Sequence, residues 1–137
     1  MKTNLIYLNI ILVMSLGLMS CKKKKPDPHV PPDVSFKTGG PYTSSDKGLN
    51  RSDTILVGIQ AKKTEDDLKS YNVSYYFDGN TNSTTFYNYL MNSSEVQAYD
   101  HDIKIGTRNQ AGTEKWVFSI VDRDGNITQK TIVLTVN

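Results

Sequence analysis

The chain has 137 residues, 37% of them hydrophobic and 22% charged, with a net charge of +2, one cysteine and two histidines. A single cysteine excludes an internal disulfide. The positive excess sits in four consecutive lysines, Lys22 to Lys25; from Val34 onward acidic and basic residues balance to about −1, so the basic footprint of a nucleic-acid binder is missing.

Residues 1–20 read as an export signal. Lys2 precedes an apolar stretch from Leu5 to Leu18, broken by Asn9 and Ser15. Its length of about 14 residues falls short of the roughly 20 that a spanning helix needs. The stretch is therefore set apart from the fold.

Leu18, Met19 and Ser20 lead into Cys21. The leucine three residues before the cysteine and the small serine just before it resemble the lipobox of bacterial lipoproteins, with Met19 where a small or β-branched residue is usual. The resemblance covers about twenty residues. It implies diacylation of the Cys21 thiol, cleavage before it and acylation of the new amino terminus, with palmitate-type chains holding the protein on the outer membrane. Several acyl chains anchor durably, because each buried methylene contributes about 0.8 kcal/mol.

Residues 21–33, "CKKKKPDPHVPPD", form the expected tether. Like charges repel, and Pro26, Pro28, Pro31 and Pro32 favour extended polyproline conformations. Twelve such residues reach roughly 35 Å. The lysines suit either anionic head groups or a solvated spacer. Many lipoproteins of Bacteroidota-type cells carry acidic residues after the cysteine as a surface-export signal. Lysines stand there instead, so both a periplasm-facing and a cell-surface position stay open.

Residues 34–137 suit one domain with a real core. Period-two alternation is its main signal. A short strand is expected at "VSFKT", 34–38. Ile55, Val57, Ile59 and Ala61 share one face of the next. Tyr71, Val73, Tyr75 and Phe77 share a face, opposite Asn72, Ser74 and Asp78, and Tyr76 is the one large outward member. Weaker candidates follow at 83–90 and 98–108. "EKWVFSIVD", 114–122, is apolar on both sides, with Trp116, Phe118 and Ile120 facing one way and Val117 and Val121 the other, so it is expected at the centre of a sheet. "DRDGN" supplies a tight hairpin turn into a last strand with Ile132, Leu134 and Val136 on one face. About seven short strands at these spacings predict an all-β, Ig-like antiparallel sandwich.

The segment "AGTEKWVFSIVDRDGNITQKTIVLTVN" is similar to the last two strands of bacterial Ig-like domains, including polycystic-kidney-type modules. The likeness lies in a glycine before an aromatic strand, an Asp-x-Asp-Gly-Asn turn and a Thr- and Val-rich closing strand. It implies a spacer, adhesion unit or binding accessory.

Few residues offer chemistry. Asp122, Asp124 and Asn126 stand at alternate positions, as in a calcium loop, but "ITQKT" supplies no later bidentate acid, so a hairpin turn is the expected role and no metal is expected. His101 lies between Asp100 and Asp102, yet strand neighbours point to opposite faces, so neither carboxylate would easily orient the imidazole. No nucleophile elbow or phosphate loop appears, and a non-enzymatic protein without a cofactor is expected. Asp53-Thr54-Ile55 resembles the Asp-Thr-aliphatic motif at which exported Bacteroidota-type proteins are often O-glycosylated, which makes Thr54 a candidate acceptor.

The aromatic residues carry the best functional signal. Tyr76, Phe86, Tyr87, Tyr89 and Tyr99 cannot all face inward, and exposed tyrosines stack on sugars or anchor interfaces. The alternative is that they cover core edges and pair across strands. Two functional expectations follow. One is an interaction module, such as an accessory subunit of an envelope assembly. The other is a carbohydrate-binding lipoprotein that uses Tyr76, Tyr87 and Tyr89.

Overall fold

The structure is a computed structural model that describes residues 28–137. The expected signal segment, Cys21 and the lysine run lie outside the described residues.

Eight strands form two facing sheets. They are β1 (Asp33–Phe36), β2 (Lys47–Leu49), β3 (Thr54–Lys62), β4 (Leu68–Phe77), β5 (Thr84–Leu90), β6 (Ala98–Gly106), β7 (Gly112–Asp122) and β8 (Ile127–Val136). The smaller sheet runs β1-β3-β6 and the larger β2-β8-β7-β4-β5. All seven expected strands are present, and β7 sits between β8 and β4 at the centre of its sheet, as its two apolar faces predict. The eighth strand, β2, has three residues, too few to show an alternation. It pairs parallel to the end of β8, Leu49 beside Val136, while the other named strands of the described residues pair antiparallel.

The core lies between the sheets and is built from the alternating residues. Val57, Ile59 and Ile105 of the smaller sheet meet Tyr71, Val73, Phe118, Ile120 and Leu134 of the larger, all inaccessible to solvent. Phe36 meets Phe118 edge-on at 5.3 Å. A fully buried aromatic such as Phe118 contributes roughly 3–5 kcal/mol relative to alanine.

The strands run between two poles. At one lie the turns that join β3 to β4, β5 to β6 and β7 to β8. The end of the expected tether docks here. The Thr64 hydroxyl lies 3.0 Å from the carbonyl oxygens of Val30 and Pro31, and the Thr128 hydroxyl donates to that of Pro32 at 2.6 Å. Pro32 is buried. The segment Val30 to Pro32 that leads into β1 is therefore held at this end, which we call the tether pole.

A polar lock closes the opposite pole. Glu114 belongs to the alternation of Trp116, Phe118 and Ile120 and is fully buried with them. Its carboxylate accepts from the Arg108 amide at 2.9 Å and from the Trp116 indole Nε1 at 3.1 Å. The Arg108 guanidinium reaches Asp78 at 2.5 Å and covers the Phe77 ring at 4.6 Å. Gly112 lies under this pair at φ +144°, where a Cβ would come within 2.1 Å of both the Arg108 guanidinium and the Asp78 carboxylate. Only glycine fits there.

Candidate functional site

Two turn residues shape the far end of the larger sheet. Asp78 and Gly79 both take positive φ, 51° and 75°, which turns the chain sharply as β4 ends, and the Asn80 amide donates to the Phe77 carbonyl at 2.8 Å. The Asp78 carboxylate also accepts from the Thr113 amide at 2.9 Å. The Arg108 guanidinium, then this amide, hold the Asp78 carboxyl below its usual range. The turn is thus pinned to β7 and to the polar lock.

Beside it the outer face of the sheet carries a depression of about 520 Å³, lined by Tyr76, Gly79, Asn80, Thr81, Thr113, Lys115 and Val133. Tyr76 lies opposite Lys115 on β7, which lies opposite Val133 on β8, so one row across three strands makes the floor. The Lys115 ammonium stands 5.8 Å from the centre of the Tyr76 ring. An aromatic wall, an amide, two hydroxyl groups and one cation meet in this depression, and it opens at the pole opposite the tether.

Tyr87 and Tyr89 do not join Tyr76. Their register with Val73 and Tyr71 sets them on the inner face of β5. There they close the open side of the sandwich against Tyr99 and His101 of β6. Tyr87 stacks on His101 at 4.8 Å, and Tyr89 on Tyr99 at 5.6 Å. The Tyr89 hydroxyl donates to Glu95 at 2.9 Å. Phe86 is the extra residue of a bulge between Thr85 and Tyr87, and its half-exposed ring meets Trp116 edge-on at 5.1 Å. Four of the five aromatics thus make cross-strand and cross-sheet pairs.

Behind Tyr87, Tyr71 is fully buried, and its hydroxyl has no hydrogen-bond partner in the structure. Burial first, then the Tyr87 hydroxyl, push its ionisation well above the ordinary tyrosine range.

The remaining candidates are dispersed. His101 faces inward into the ring stack, while Asp100 and Asp102 face outward and bind Lys37. Asp122 is buried, and Asn126 takes both its oxygens, through the backbone amide at 2.8 Å and the side-chain amide at 2.9 Å. Among the described residues no three His, Cys, Asp or Glu side chains gather as metal ligands. Thr54 is exposed at the start of β3, on the rim of a second depression of about 370 Å³ that Lys47 and Lys104 also line.

The sequence marked Tyr76 but not its companions. Lys115 and Val133 join it only through the register of β4, β7 and β8. The Asp-Gly-Asn after β4 was the signal for the turn that adds Asn80 and Thr81.

No protein-family model and no curated protein matches the sequence. Solved structures do resemble the fold. A chitin-binding domain from Burkholderia pseudomallei superposes with a TM-score of 0.52 at 7% identity, over 69% of this chain and 58% of that one. The chain thus spans little more than half of that structure. Murine CRIg aligns over 77% of this chain and 98% of its own at 13% identity, with a TM-score of 0.43. At 7% identity the first likeness speaks for the fold alone, and the two facing sheets are those of an Ig-like β-sandwich.

Proposed function

We propose that the chain is a non-enzymatic lipoprotein, anchored to the outer membrane through Cys21, whose Ig-like domain holds a partner as an accessory subunit of an envelope assembly. The observation that carries this reading is the opposition of the two poles. Thr64 and Thr128 fix the tether at one end of the strands, and the Tyr76 depression opens at the other. A membrane anchor on the first end points the second away from the lipid. Thr54 lies at that far end too, where an attached glycan would extend from the smaller sheet without covering Tyr76.

A second reading is glycan capture. It draws on the Tyr76 ring beside Asn80, Thr81 and Thr113, and on the fold shared with a chitin-binding domain. Tyr87 and Tyr89 would serve it by bracing β5 from inside, not by touching sugar.

Purification of the full chain from its own membrane in mild detergent, through a tag after Asn137, tests the first reading. A stoichiometric envelope protein that is lost with Tyr76→Ala is the expected result. Recovery of the lipoprotein alone from membranes that retain the rest of the envelope would refute the accessory-subunit role. Recovery of Cys21→Ala in the membrane fraction would refute the anchor.

A further inference from the structure

Between the Tyr76 depression and the row of Asn72 the outer face of the larger sheet is poor in charge; exposed Lys69 stands in the bulge of β4 nearer the tether pole. Beyond the row of Tyr76, Lys115 and Val133, the registers set Ser74 beside Val117 and Thr131, and Asn72 beside Ser119 and Gln129. At the paired positions of this face Lys115 is the one charged side chain among the described residues. Gln129 Nε2 donates to the Ser119 hydroxyl at 2.9 Å, so the row of Asn72, Ser119 and Gln129 is made of neutral donors and acceptors. Sandwich faces that meet only water generally carry mixed charges, and the smaller sheet of this domain does so.

From this pattern we infer that the whole outer face of the larger sheet, from the Tyr76 depression to the row of Asn72 and Ser119, is a bed for an uncharged polysaccharide chain. The inference rests on the glycan reading above and specifies its ligand class. Charge complementarity sets that class. A face with one cation gives an anionic polymer little to pair with, and desolvating unpaired charges of either sign on it would be costly. Neutral sugar hydroxyls instead exchange hydrogen bonds with the Ser, Asn, Gln and Thr side chains, while the Tyr76 ring takes a sugar face. Strands about 4.8 Å apart present these groups in regular rows, which suits a repeating ligand better than a single small molecule.

Native gels containing a neutral β-glucan, a galactomannan or glycol chitin test this with the full chain in neutral-detergent micelles; polygalacturonate gels serve as the charged control. The expected result is retardation in at least one neutral gel, little changed by salt, and weakened at least about tenfold by Ser119→Glu. Ser119→Asn and Ser35→Glu, the latter exposed on the opposite sheet, should keep it and show that the fold is intact. Retardation that Tyr76→Ala abolishes and Ser119→Glu spares would overturn the extended bed and leave glycan capture at the depression standing. Equal or stronger retardation in polygalacturonate would overturn the neutral class. No retardation in any neutral gel would overturn both, and loss of a co-purifying protein on Ser119→Glu would then make the face a protein interface.

Discussion

The two outer faces of this sandwich are built on opposite principles. On the smaller sheet the outward side chains include Asp33, Lys37, Lys62, Asp100, Asp102 and Lys104, and several satisfy one another. Lys37 crosses β3 to Asp100 and to Asp102, the latter at 2.8 Å, and the Tyr42 hydroxyl donates to Asp102 at 2.8 Å. Gly58 makes the crossing possible, since a Cβ there would meet the Lys37 stem at 2.5 Å. On the larger sheet the outward side chains are mostly neutral and short, and they engage each other little. The difference teaches where each face spends its bonding capacity. One is closed on itself, and the other holds donors, acceptors and an aromatic ring for something outside the domain.

The largest effect should come from what the two faces share, the polar lock. Glu114→Ala leaves the Arg108 amide and the Trp116 indole without their acceptor in a buried place, and should cost about 2–5 kcal/mol in denaturant unfolding. A loss below the scatter of surface variants would show that the lock does not couple the sheets.

Next comes Tyr71→Phe, which removes a buried, unpartnered hydroxyl while keeping the ring. It should raise stability at neutral pH by about 1 kcal/mol. It should also change the alkaline limb. Tyr71 ionises at higher pH folded than unfolded, so its contribution is complete below the unfolded tyrosine pKa of about 10 and is lost as pH rises above that. The variant should show a shallower alkaline fall in thermal scans, and an unchanged fall would mean that other groups govern it.

A smaller, salt-sensitive effect is expected on the charged face. Lys37→Met removes the cation that, more than Tyr42, holds the Asp102 carboxyl below its usual range. Asp102 therefore stabilises the fold above the unfolded carboxyl pKa of about 4, and this is lost as pH falls through the lower folded value. Thermal scans should find Lys37→Met slightly less stable at neutral pH and low salt, level with the parent in high salt, and unchanged in ligand binding. Loss of binding here would erase the contrast between the faces.

The smallest stability change belongs to the neutral face. Ser119→Glu should stay within about 0.5 kcal/mol of the parent. Its effect should appear in binding, the reverse of Lys37→Met. A large destabilisation would mark the face as structural.

The legibility of the fold in the sequence followed the alternation. Ile55 to Ala61, Tyr71 to Phe77 and Ile132 to Val136 each announced a strand with one buried face, and two-sided Trp116 to Val121 announced the centre of a sheet. The same alternation set Glu114 inward, but its partners come from Arg108 and from the Trp116 indole, which only the closed fold brings to it. β2 was illegible, because Lys47 to Leu49 form a strand only where β8 offers its edge. Of the tyrosines, Tyr76 could be placed by parity on β4. Tyr87 and Tyr89 could not, because the bulge at Phe86 resets the faces of β5.

Hydroxyl-radical footprinting tests most directly whether the neutral face is the engaged one, with the full chain in its native membrane compared with the same chain purified in detergent. Tyr76 on the larger sheet should be protected in the membrane and become reactive on purification, while Leu56 on the smaller sheet reacts alike in both. Equal reactivity of Tyr76 in the two states, or protection of Leu56 in its place, would contradict the assignment.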